Sequence, residues 1–137
     1  MNARPDVIYE VDRRFEVVTW GVGHRGLVLR TVPEAGQHSR IEVWFKPAYA
    51  VCLGPWLEGI QITRGTADTP ACLKVIGRPI EAWEELFRVR SGEGVGWVLA
   101  GSVNGREDHE DADAPPIFDG WKLKPGERSL FSVPANS

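Results

Sequence analysis

Four short β-rich runs follow one another between residues 26 and 63. They read Gly-Leu-Val-Leu-Arg-Thr-Val from Gly26, Arg-Ile-Glu-Val-Trp-Phe-Lys from Arg40, Tyr-Ala-Val-Cys-Leu from Tyr49 and Glu-Gly-Ile-Gln-Ile-Thr from Glu58. Pro, Gly and polar residues separate them, which is the pattern of antiparallel strands joined by short connections. Further β-rich runs at 6–11, 15–20, 72–76, 95–103 and 129–133 extend the pattern on both sides. The chain is therefore expected to be mainly β, an antiparallel meander forming a sandwich or a half-open barrel.

Alternation assigns faces within these runs, because successive side chains of a strand point to opposite sides. Ile41, Val43 and Phe45 share one face and are expected in the core, as are Ile60 and Ile62. Arg40, Glu42, Trp44 and Lys46 share the other face, where Trp44 is the odd member of a charged set. Asp12-Arg13 reads as a tight turn between the first two runs. Near 79–90 the period changes: Ile80, Trp83 and Phe87 fall at i, i+3 and i+7, with Pro79 at the start and Gly92 beyond the end. That spacing predicts one helix covering the sheet, and so an α+β variant of the fold.

With 137 residues the chain is expected to form a single domain with a core of its own. Hydrophobic residues make up 42% and charged residues 26%, and the net charge is −3. No dense run of Lys or Arg offers the clustered positive charge that phosphates or anionic membranes require, so neither a nucleic-acid nor a membrane partner is expected. No apolar stretch reaches the ~20 residues of a spanning helix, and the N-terminus has no signal-like apolar core, which points to the cytoplasm. Arg-rich composition points to a bacterial source. Cys52 and Cys72 both lie in apolar runs and read as free thiols, with pairing left open.

Chemistry-bearing motifs are sparse. Gly21, Gly23 and Gly26 match Gly-x-Gly-x-x-Gly around His24, but a strand follows where a dinucleotide site needs a helix N-terminus. No nucleophile elbow is present, the cysteines sit in apolar surroundings, and no catalytic residue, metal ligand set or cofactor is assigned. The run 107–113 is acidic. It lacks the spacing of a calcium loop and reads as part of a solvated surface loop over 104–116.

Two functional readings stay open. In the first, the chain binds another protein through an exposed Trp44 with Arg40, Glu42 and Lys46, and through Trp56 at a turn, since exposed Trp flanked by charge is typical of interface hot spots. Asp108, Glu110, Asp111 and Asp113 would then dock a basic partner. In the second, a pocket in the mouth of the sheet, lined by His24, Trp20 and Trp97, holds a small molecule as ligand or substrate. Self-association through exposed strand edges is a third route to function.

The pattern Leu-x-Leu-Arg, then Arg-Ile-Glu-Val-x-Phe, then Gly-Ile-x-Ile across 27–63 resembles the immunity proteins of polymorphic toxin systems and related small bacterial proteins. The residues that carry the resemblance are packing positions: Leu27, Leu29, Ile41, Val43, Phe45, Ile60 and Ile62. It implies a protein that binds and blocks a cognate toxin.

Overall fold

The computed structural model describes residues 7–21, 26–65, 74, 76–118 and 122–134. Among the described residues nine strands form one antiparallel sheet: β1 (Val7–Gly21), β2 (Gly26–Thr31), β3 (Arg40–Phe45), β4 (Ala48–Cys52), β5 (Trp56–Arg64), β6 (Glu85–Ser91), β7 (Gly94–Ala100), β8 (Ser102–Asp108) and β9 (Arg128–Pro134). Their spatial order is β4-β7-β6-β5-β1-β2-β3-β8-β9, and the sheet is not closed into a barrel. The mainly β, antiparallel expectation holds.

The sheet folds over on its own apolar face. Between β3 and β4, and again between β7 and β8, the chain turns a corner without losing its pairing. The Lys46 amide donates to the Ser102 carbonyl at 3.1 Å, and the Gly101 amide to the Pro47 carbonyl at 2.9 Å. Gly101 is needed there, because a Cβ would lie 2.7 Å from the Pro47 ring. This corner brings Phe45 of β3 against Phe87 of β6, ring centroids 5.9 Å apart. Phe15, Leu27, Leu29, Ile41, Val43, Ile60, Ile62, Val89, Val98 and Val103 complete the inner core, so the inward faces assigned to β3 and β5 are correct.

Several local expectations are corrected. The first two runs are one strand: at Asp12-Arg13 the chain makes a register irregularity opposite Gly59 instead of a turn. The run 95–103 is two strands divided at the Gly101 corner. The strand expected over 72–76 falls mostly outside the described residues, and Lys74 and Ile76 within it are helical. The covering helix near 79–90 is absent. A turn at Ala82–Trp83 leads into strand β6. Phe87 and Val89 alternate into the inner core, while Leu86 points outward. Ile80, Trp83 and Phe87, which share a face in a helix, lie in three different settings: against the outer patch, exposed and in the core. Period two in 85–91 prevailed because pairing on both edges, with β5 and β7, satisfies its backbone.

The role given to the helix is taken by two long connections. The β5–β6 connection lays Ile76 and Ile80 over Leu86, Leu99, Trp97 and Tyr49 on the outer face of β4, β6 and β7. Arg78 grips the buried Glu84 with two hydrogen bonds of 2.8 and 2.6 Å, closing that connection. The β8–β9 connection covers the outer face of β2, β3 and β8.

Candidate functional site

Arg40, Glu42 and Trp44 were expected on an open partner-binding surface, and the structure corrects this: they form the seat of the β8–β9 connection. Trp44 is 7% exposed and Glu42 is fully buried. Glu42 Oε1 accepts the backbone N–H groups of Ile117 (3.0 Å) and Phe118 (3.3 Å), and its Oε2 accepts from Arg30 Nε at 2.7 Å. Arg40 makes a bidentate pair with Asp108 (2.8 and 3.0 Å), and its guanidinium also donates to the carbonyls of Ala114 and Pro115. Trp44 packs on Phe118 at 4.9 Å, with Lys46 Nζ 4.4 Å from the Trp44 ring centroid. Ile117, fully buried, anchors the segment. Charged residues on a strand's outer face are buried here because each finds a partner of matching geometry. The sequence signal for this strap was Ile117-Phe118, an apolar pair directly after Pro115-Pro116.

The acidic loop divides in two. Asp108 is locked to Arg40 at the end of β8 and is buried, so it is not part of an exposed docking loop. Glu110, Asp111 and Asp113 are exposed. Glu110 and Asp111 form one wall of a basin of about 460 Å³, whose opposite wall is the β2–β3 connection with Pro33, Glu34, Gln37, His38 and Ser39, and whose floor includes Arg13 and Arg40. No local pattern in the sequence marks this meeting of distant segments.

Hydrogen bonds set the basin's shape. Arg13 donates to the Ser39 hydroxyl (3.2 Å) and carbonyl (2.7 Å), and the Ser39 hydroxyl in turn donates a hydrogen bond to Glu107 at 2.8 Å. Burial pushes the Glu107 carboxyl up, but the Ser39 hydroxyl and the Arg128 guanidinium outweigh it and hold the group below the usual range. His109 Nδ1 lies 3.1 Å from the His38 carbonyl. A carbonyl only accepts, so Nδ1 carries the proton and, in the neutral ring, Nε2 keeps its lone pair. Both lining guanidiniums are held by these bonds, whereas Glu34, Glu110 and Asp111 make no ion pair among the described residues. Gln37 Oε1 and Arg13 Nε are buried without a hydrogen-bond partner among the described residues.

A second cleft, of about 420 Å³, opens at the mouth of the folded sheet. Its lining includes Val51, Leu53, Leu57 and Val89, together with Trp56 and Val95 at the rim, and contains no charged residue. Trp56 is 62% exposed, as expected for a surface Trp. The lining named from the sequence is not assembled there. Trp97 turns to the outer face against Gly65, Trp20 is exposed at the end of β1 and lines neither cleft, and His24 lies outside the described residues. Cys52 is a free, exposed thiol at the end of β4, and Cys72 lies outside the described residues.

Among the described residues no group of three His, Cys, Asp or Glu side chains is placed to hold a metal ion, and no helix is long and apolar enough to cross a membrane. In comparisons with known proteins, no family model matches the chain, and neither a curated protein nor a solved structure matches it.

Proposed function

We propose that the chain is a protein-binding domain whose receptor surface is the polar basin between the β2–β3 connection and the start of the β8–β9 connection, and that it takes a basic segment of its partner. The observation that carries this reading is the imbalance of charge in the basin. Three carboxylates, Glu34, Glu110 and Asp111, line it without ion pairs among the described residues, while Arg40 is neutralised by Asp108, which leaves Arg13, hydrogen-bonded to the neutral Ser39, as the guanidinium set against them. A Lys or Arg side chain entering there meets the carboxylates as acceptors. Negative potential in a concave site also steers a basic partner toward it. The toxin implied by the resemblance of residues 27–63 to immunity proteins is a partner of this kind if it presents a basic surface.

The test is calorimetric titration with a Lys/Arg-rich peptide and, as control, a Glu-rich peptide of the same length. The basic peptide is expected to bind with an affinity that falls as salt rises, and the triple variant Glu34→Lys, Glu110→Lys, Asp111→Lys to lose it. These three side chains are exposed, so the variant is expected to fold. Equal binding of both peptides, or binding untouched by the triple variant, refutes the reading.

A further inference from the structure

We infer that β4 is a pairing edge for a second copy of this chain, so that two copies join as an antiparallel β4–β4 ribbon about a two-fold axis. Strand β4 stands at one end of the sheet and pairs, among the described strands, only with β7. A terminal strand presents unpaired N–H and C=O groups, and proteins that stay monomeric blunt such edges with charge or proline. The opposite terminal strand, β9, is blunted in this way: it begins with Arg128, ends with Pro134 and carries Ser129 and Ser132 between. Strand β4 reads Ala-Tyr-Ala-Val-Cys, with no charge and no proline inside it.

The surface beside β4 favours a copy of itself. Trp56 and Val95 are exposed at the rim of the mouth cleft, which runs past Val51 and Cys52 and has no charged lining. Although each chain carries a net charge of −3, the cleft lining that two copies would share carries no charge, so it adds no repulsion between them and offers a strongly charged partner no counter-charge. A two-fold operation gives every contact twice, so each copy supplies both an edge that is unpaired among the described strands and an exposed Trp56. This surface is separate from the polar basin, and the inference does not depend on the function proposed for that basin.

Sedimentation velocity from micromolar to millimolar protein, with reductant so that Cys52 cannot crosslink, tests the inference, together with hydrogen exchange at the amides of residues 50–52. A concentration-dependent monomer–dimer equilibrium is expected, with slower β4 exchange as the dimer fills. Cys52→Lys, which places a charge at the exposed end of the edge, is expected to weaken the dimer by about tenfold or more, and Trp56→Ala to weaken it as well. A chain that stays monomeric throughout overturns the inference, including one whose cleft is filled instead by an apolar probe such as anilinonaphthalene sulfonate. So does a dimer that Cys52→Lys leaves intact and in which β4 exchange is independent of concentration.

Discussion

The backbone N–H of Ile117 points at the carboxylate of Glu42 and donates to Oε1 at 3.0 Å, across 75 positions of sequence. This bond, with the neighbouring one from Phe118 and the Arg30 contact on Oε2, turns a buried acid on the middle of β3 into the clasp of the β8–β9 connection. Without it the outer face of β3 is a row of charges around one Trp. With it, that face becomes a second interior.

Glu42→Ala removes at once the acceptor for the buried Ile117 N–H, the part-buried Phe118 N–H and one guanidinium. Breaking a buried, fully paired charge in this way costs about 3–5 kcal/mol. Glu42→Gln keeps one carbonyl oxygen and is expected to lose less. Urea denaturation reads both losses, and hydrogen exchange at Ile117 and Phe118 is expected to accelerate in Glu42→Ala before the core strands open. A loss below about 1 kcal/mol in Glu42→Ala, the level of a single ordinary hydrogen bond, means that the clasp does not hold the connection.

Trp44→Ala leaves a void under Phe118 and Lys46, and large-to-small changes of a buried aromatic cost about 3–5 kcal/mol. The thermal midpoint is expected to fall in the isolated protein. A double-mutant cycle with Phe118→Ala is expected to show coupling of about 0.5–1.5 kcal/mol, the range for paired rings. A Trp44→Ala protein of unchanged stability would return Trp44 to the surface.

The losses from breaking the Arg40–Asp108 pair are expected to be non-additive. Asp108→Leu alone leaves the guanidinium buried beside an apolar group, and Arg40→Met alone leaves a buried carboxylate; each costs about 3–5 kcal/mol. The double variant removes both charges and is expected to be more stable than either single one, though the carbonyls of Ala114 and Pro115 then lose their donor. Denaturant midpoints of the three proteins decide it, and strict additivity of the two losses contradicts the prediction.

Acid is expected to loosen the other connection. The Arg78 guanidinium, first of all, and then the Glu81 amide hold the Glu84 carboxyl below its ordinary 4.5, against the opposing pull of burial. A depressed acid stabilises the fold above its unfolded value and loses that contribution as pH falls through the folded one. Stability owed to Glu84 is therefore constant at neutral pH, begins to decline near 4.5 and is lost as pH falls through the lower folded value. Glu84→Gln is expected to be less stable than the parent at pH 7, with the gap closing on acidification. Urea midpoints from pH 7 to 3 measure it, and a gap that widens toward low pH contradicts the assignment.

The sequence by itself determined which residues of β3 and β5 face the inner core. Ile41, Val43 and Phe45, or Ile60 and Ile62, lie on one side because alternation is a property of the local backbone, readable wherever the chain is extended. It determined the antiparallel, mainly β class for the same reason. Only the tertiary structure decided what lies against the other side. Glu42 and Ile117, or Arg13 and Ser39, meet through contacts that no local period encodes, so nothing local to Arg40, Glu42 and Trp44 marks the strap that covers their face. The segment 79–91 shows the same limit from the opposite direction. Its spacing satisfies a helix, but β5 and β7 offer it hydrogen bonds along both edges, and Phe87 reaches Phe45 only as part of a strand. The polar basin, built from residues 13, 31–40 and 109–112, exists because the sheet order sets β1, the β2–β3 connection and the end of β8 side by side.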